Sequence, residues 1–223
     1  MDGILKVCMN ISHKIFWLWT VLLGFFLAGC TTSDGGNLPL PNNPKVSGLA
    51  LVKQSCSLCH SMTGESISPA FPKLAGQQKE YLQLQLTDFK GHTRRDPTGV
   101  QYMWGVTRLT PDQMDTLSDY FSKQTPMQSA SVSVSARGKE IFMNGLPSQG
   151  VVQCSACHGV DGKGNGAIPR LAGQHVNYLV KQIKVFKLTD ERPRGEAMKQ
   201  ITHDLSDEDI TEVAAYIASM GNL

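Results

Sequence analysis

The chain has 223 residues, a formal net charge of +2, 18% charged residues and 7% aromatic residues. That length holds one large or two small domains, and with no basic run it offers nothing for a nucleic-acid partner. A domain of under about 100 residues would need core material beyond its own side chains. Of the six cysteines, Cys8 and Cys30 lie in the N-terminal segment and four form two copies of one motif, so none is left for a structural disulfide in the body of the chain.

Lys6 and Lys14 flank a weakly basic start, and Ile15 to Ala28 is an almost unbroken apolar run of fourteen residues. A bilayer needs about 20, so the run suits the h-region of an export signal over residues 1–29. It ends in Leu27-Ala28-Gly29-Cys30, which resembles the lipobox of bacterial lipoproteins. The resemblance implies cleavage before Cys30, lipidation of that cysteine and a membrane anchor of several acyl chains, which hold stably where one does not. Thr31 in place of Asp leans, by analogy with Gram-negative sorting, to the outer membrane. Cys8 would leave with the signal. Residues 30–46, dominated by Gly, Pro and Asn, read as a flexible tether.

Cys56-Ser57-Leu58-Cys59-His60 recurs as Cys154-Ser155-Ala156-Cys157-His158. C-x-x-C-H is the attachment signature of c-type haem. Two thiols one helical turn apart add to the two vinyl groups of one porphyrin, and the following histidine reaches the iron. A thioredoxin-like C-x-x-C does not require that histidine, and a zinc site wants a second ligand pair at zinc spacing. Two copies followed by the same downstream text favour two covalently attached haem c groups over disulfides or zinc knuckles. Cys56, Cys59, Cys154 and Cys157 are then the attachment residues, and His60 and His158 the iron ligands. Haem attachment and lipidation both point outside the cytoplasm, to a bacterial periplasm.

From about Ser47 the chain is an internal duplication with an offset near 97, too long for a solenoid. Phe71 to Gln77 pairs with Ile168 to Gln174, and Leu109 to Phe121 with Leu205 to Ile217. The expected domains are residues 47–123 and 137–223, joined by a linker over 124–136. Each reads as helix, haem motif, loop, helix, loop, helix, with no convincing strand. The first helices hold Gly48 to Gln54 and Arg137 to Asn144, and the middle ones run about Gln77 to Lys90 and Gln174 to Lys187. The last begin at Thr110-Pro111-Asp112-Gln113, of capping-box form, and at Ser206-Asp207-Glu208-Asp209. Met114, Leu117, Phe121, Ile210, Val213, Ala214 and Ile217 then face the cores.

The sixth iron ligand separates electron transfer from catalysis. Met103 and Met198 occupy corresponding places in the loop before the last helix, and a thioether there would fill the coordination shell and raise the potential. Met62 is too near His60, Met114 is on a core stripe, Met127 is in the linker, Met143 precedes the second motif and Met220 sits at a frayed end. His92 and His203 do not correspond between repeats and read as surface residues, and His175 is matched only by Gln78. Pro72 and Pro169 follow the two histidines by 12 and 11 residues. Their carbonyls can accept the proximal imidazole N–H and fix the ring.

The two C-x-x-C-H units, P-[KR]-L-A-G-Q after each, the methionine loop and the closing L-[ST]-x-[DE] helix together resemble tandem dihaem class I cytochromes c of the cytochrome c-four type. The resemblance covers about Ser47 to Met220. It implies an all-α fold of two tandem cytochrome c domains, each wrapped around one covalent haem, with His/Met iron. It also implies a carrier of single electrons between periplasmic or membrane redox proteins, such as respiratory complexes and a terminal oxidase or reductase. The partners would be other redox proteins and, through Cys30, a membrane, with no small-molecule substrate and no enzymatic activity of its own. The alternatives are a dedicated electron-transfer subunit of a dehydrogenase or reductase, and a dihaem enzyme with a displaceable ligand. Trp104 beside Met103 makes the first iron the more open to that last reading.

Overall fold

Caps written in the sequence start most of the helices in the computed structural model, which describes residues 43, 45–105 and 107–221. The export signal, Cys8, Cys30 and nearly all of the tether lie outside the described residues. Helix α1, Gly48–Leu51, opens where the Ser47 hydroxyl accepts from the Ala50 N–H. It runs on without a break through a π-helical turn, Val52–Cys56, into α2, Ser57–His60. The first repeat is completed by α3, Lys79–Lys90, α4, Pro97–Tyr102, and α5, Pro111–Ser122. The second holds α6, Ala136–Asn144, α7, Ser155–His158, α8, Val176–Leu188, α9, Glu196–Thr202, and α10, Asp207–Ser219. No strand occurs among the described residues, only isolated bridges at Leu146–Val151 and Asn165–Ile168.

Both last helices carry complete capping boxes, Thr110 with Gln113 and Ser206 with Asp209. A side-chain cap is worth about 1 kcal/mol, enough to hold the start of a helix in place. Helices α4 and α9 stand where the sequence suggests loops. The first has a local cause: the Asp96 side chain accepts from the Gly99 N–H at 3.3 Å and Pro97 takes the first helical position. The second has no side-chain cap, and seven residues are too few for periodicity to reveal.

The two repeats reach their motifs differently. In the first, the helix itself delivers Cys56. In the second, Asn144 ends α6, Gly145 takes φ +72°, and the Leu146–Val151 bridge closes a turn before Cys154. The first helix of each repeat crosses the last one at a glycine. A Cβ on Gly48 would lie 2.6 Å from the Thr116 side chain, and one on Gly138 would meet the Glu212 backbone. Only a residue without a side chain permits either approach.

Each repeat has its own core. Leu51, Val52, Leu82, Leu109, Leu117 and Phe121 form the first, with Met114 packed against it. Ile141, Phe142, Leu179, Ile210, Val213, Ala214 and Ile217 centre the larger second core. Met220, expected at a frayed end, is buried in that second core at 6% exposure, because the chain continues to pack after α10. Everything described belongs to one compact unit, Pro39–Leu223. The segment between the repeats is packed rather than loose. Met127 is fully buried, its N–H donates to the Ala75 carbonyl, and the Ala130 N–H donates to Ala218.

Candidate functional site

In both motifs the thiols sit one helical turn apart beside a short helix that ends in the histidine. His60 and His158 are buried, at 6% and 7% exposure. His60 Nδ1 lies 2.9 Å from the Pro72 carbonyl oxygen, and His158 Nδ1 lies 3.0 Å from that of Pro169. A carbonyl can only accept, so Nδ1 carries the proton in each ring. Nε2 is left with the lone pair that binds a metal. Burial lowers both imidazole pKa values, and the bond to the proline carbonyl opposes it. Each ring is thus held neutral and in one tautomer.

All four motif cysteines are free thiols. Burial pushes Cys56 and Cys154 up to about 11. A redox-active C-x-x-C relies on a depressed thiol pKa, and burial moves Cys56 and Cys154 the other way. Among the described residues no group of three or more His, Cys, Asp or Glu is placed to hold a metal ion.

Met103 caps the C-terminus of α4, and Met198 lies inside α9. Both are half-buried. Their correspondence is closer than their spacing suggests. The Thr107 hydroxyl donates to the Met103 carbonyl at 2.9 Å, and the Thr202 hydroxyl to the Met198 carbonyl at 2.7 Å. M-x-x-x-T in both repeats was the available signal for this. The competing histidines are exposed: His92 stacks on Trp104 at 4.3 Å, and His203 bonds its neighbour Asp204. The Trp104 indole is held in turn by the Arg94 carbonyl, at 2.9 Å.

The repeats face one another through bonds exchanged between matched positions. The Gln78 amide donates to the Lys163 carbonyl at 2.9 Å, and His175 Nε2 lies 2.7 Å from the Ser66 carbonyl. Gln77 and Gln174 each bind the backbone of the opposite repeat, at Arg170 and Lys73. Gly76 and Gly173, at φ +63° and +81°, let the chain turn there against Pro126 and Met127.

Between α3 and α8 a second set is buried, and sequence reasoning missed it. Arg94 bonds Asp96 at 2.6 Å, Gln85 at 2.7 Å and Gln182 at 3.2 Å. Arg192 bonds the same two glutamines and lies over the Phe186 ring. Arg194 pairs bidentately with Asp88 of the other repeat. Among the described residues no carboxylate lies within 4 Å of Arg192, although it is only 9% exposed. A buried cation of this kind suits a ligand that brings its own carboxylates.

The cytochrome c family model matches residues 46–125 and again 135–221. The chain belongs to the cytochrome c family. It is 35% identical over 214 residues to cytochrome c-552 of Acidithiobacillus ferridurans, covering 94% of this chain and 89% of that protein. Its fold is similar to that of Acidithiobacillus ferrooxidans cytochrome c4, with a TM-score of 0.69 and 39% identity over 74% of this chain and 98% of that one. A thiosulfate dehydrogenase electron acceptor of Stutzerimonas stutzeri is 29% identical over 174 residues, 75% of this chain and 79% of that protein.

The protein is an all-helical cytochrome of two cytochrome c domains, with two covalent haem c groups as cofactors, and it carries electrons. The residues present fit that cofactor. Each site offers two free thiols at the right spacing and a buried imidazole in the metal-binding tautomer.

Proposed function

We propose that the cytochrome is a lipid-anchored periplasmic shuttle with two coordinatively saturated irons. Cys56 and Cys59 attach one haem and Cys154 and Cys157 the other. His60 and His158, with Met103 and Met198, would hold the two irons. Haem bound there would supply one-electron Fe(III)/Fe(II) chemistry at potentials set by the residues that ligate it. The Pro72 and Pro169 carbonyls orient each imidazole and raise its basicity as a ligand. Both imidazoles are buried, which would lower the reorganisation that a change of charge demands.

The observation that carries this reading is the duplication of local geometry. Both histidines donate to a proline carbonyl, and both methionine carbonyls accept from a threonine four residues on. An optical redox titration of the purified protein tests it. Two haems per chain, a full-strength sulfur-to-iron charge-transfer band in the oxidised form and two high potentials are expected. A half-strength band or rapid cyanide binding to the oxidised protein would instead mean one open iron, and an enzymatic role would follow.

Anchorage rests on the lipobox at Cys30. Labelling with a radioactive fatty acid that disappears in Cys30→Ala, with release of the cytochrome from membranes, tests it. Fractionation of the labelled envelope decides between the inner membrane and the outer.

The likeness to a thiosulfate dehydrogenase electron acceptor favours a second reading, a dedicated acceptor for one dehydrogenase. Co-purification of a single dehydrogenase from membranes, with electron uptake from it and not from other donors, would support that reading over a general shuttle.

A further inference from the structure

We propose that Gln174 and Gln77 are positioning residues for the opposite domain's iron, each setting the reduction potential of the haem it does not itself neighbour in sequence. This rests on His60 and His158 being the proximal ligands.

The connection runs through one peptide group at each site. The Pro72–Lys73 peptide accepts at its oxygen from His60 Nδ1, at 2.9 Å. The same peptide donates its N–H, that of Lys73, to Gln174 Oε1 at 2.9 Å. The Gln174 amide then donates back to the Lys73 carbonyl, also at 2.9 Å. The mirror arrangement joins His158 to the Pro169–Arg170 peptide at 3.0 Å, and the Arg170 N–H to Gln77 Oε1 at 2.7 Å. Gln77 Nε2 donates to the Arg170 carbonyl at 2.9 Å. Both glutamines are 4% exposed, and Lys73 and Arg170 are 7% and 4% exposed, so the path is shielded from bulk solvent.

Resonance couples the two ends of a peptide bond. An acceptor on the N–H side draws the proton away from nitrogen and builds negative charge on the carbonyl oxygen. Bonds in such a chain strengthen one another, by about 10–30% each. With Gln174 in place, the Pro72 oxygen is a better acceptor, the His60 imidazole is more electron-rich, and the ferric state is favoured. A side chain of the second domain therefore lowers the potential of the first domain's haem, and Gln77 does the same in reverse. Each glutamine also bonds the N–H of its own following residue, at 2.9 Å for Gln78 and 3.0 Å for His175. Its amide plane is thereby fixed by its own domain before it reads the other.

The test is a spectroelectrochemical titration of the whole cytochrome carrying Gln174→Leu, and separately Gln77→Leu. Each haem is assigned to its domain by NOEs from its methyl groups. Gln174→Leu should raise the midpoint of the first haem and leave the second. The expected change in that haem's redox equilibrium is about threefold, which at 59 mV per tenfold for one electron is about 28 mV. Gln77→Leu should do the converse. Should either variant fail to assemble, Gln174→Asn or Gln77→Asn withdraws the amide by one methylene, keeps its polarity, and should shift the same haem in the same direction. A shift in the variant's own domain, an equal shift in both, or none with two haems bound would overturn the crossed relay. If the wild-type spectrum lacks histidine ligation, the ligand reading itself fails, and that outcome is read before any variant is made.

Discussion

Thr202 gives its hydroxyl to the carbonyl oxygen of Met198 at 2.7 Å, and the threonine is 3% exposed. Thr107 holds Met103 in the same way at 2.9 Å and is 1% exposed. A buried bond of this kind is worth about 1 kcal/mol, and here it fixes the peptide that carries the proposed ligand. Thr202→Val should lower the temperature at which the sulfur-to-iron band of the second haem bleaches and leave the first unaffected. Thr107→Val should reverse the pattern. Bleaching at an unchanged temperature would show that the bond plays no part in holding the ligand.

Removing the thioethers themselves gives a larger signal. Met103→Ala and Met198→Ala should each halve the sulfur-to-iron band, and the double variant should abolish it. Each should also drop the potential of one haem, since a neutral thioether favours the ferrous state. Full band strength in Met103→Ala would assign the first iron a different ligand.

The two domains should depend on their haems unequally. Among the described residues the first core has six buried hydrophobic residues and the second thirteen, so the first has less of its own to hold it together. Cys56→Ser/Cys59→Ser should bind one haem per chain and lose hydrogen-exchange protection across α3 and α5. Cys154→Ser/Cys157→Ser should also bind one haem, yet keep protected amides in α10. Equal protection in the two variants would mean that haem, not side-chain burial, sets the stability of both.

His175 supplies a pH dependence. Burial holds its pKa below the ordinary 6.5, with the Ser66 carbonyl opposing, Lys73 adding to the depression and Glu65 opposing it. The unfolded chain therefore takes up a proton near pH 6.5 that the folded chain takes only at lower pH. Stability from this residue is complete above pH 6.5 and is lost as the pH falls through the depressed folded value. Thermal midpoints of wild type between pH 8 and pH 5 should fall more steeply than those of His175→Gln, which carries the residue found at the matching position, Gln78. Parallel curves would remove His175 from the account.

Arg94 and Asp96 form a buried pair at 2.6 Å, 5% and 1% exposed. Burial pushes the Asp96 carboxyl up, but the charge and hydrogen bonds of Arg94 outweigh it and hold the carboxyl below its ordinary value. Asp96→Asn strands the guanidinium and removes a charge-bearing helix cap, and should cost about 3–5 kcal/mol. Denaturant unfolding followed by haem absorbance measures it. A loss under about 1 kcal/mol would show that the hydrogen bonds to Gln85 and Gln182 suffice to hold the Arg94 guanidinium without its carboxylate.

Much of the site was legible because its chemistry is local. Two thiols and an imidazole within five residues are brought together by any helical turn, so Cys56 to His60 and Cys154 to His158 needed no tertiary information. Capping boxes at Thr110 and Ser206 are equally short-range, as are the prolines whose carbonyls meet the histidines. Helix α4 was read as loop, although Asp96-Pro97 is a local start signal for it.

The sequence by itself determined the cofactor, the duplication, the helix starts and the histidine–proline pairing, all of which depend on bonds and spacings within one repeat. Only the tertiary structure decided what the repeats do to one another. Gln174 and Lys73 stand 101 residues apart, and Gln77 and Arg170 stand 93 apart. Nothing in either heptapeptide says which peptide its glutamine will meet. Arg192 and Gln85, 107 residues apart, are joined on the same terms. Such contacts form because two apolar surfaces close together and every polar group trapped between them must find a partner, and that choice is made by packing, not by local spacing.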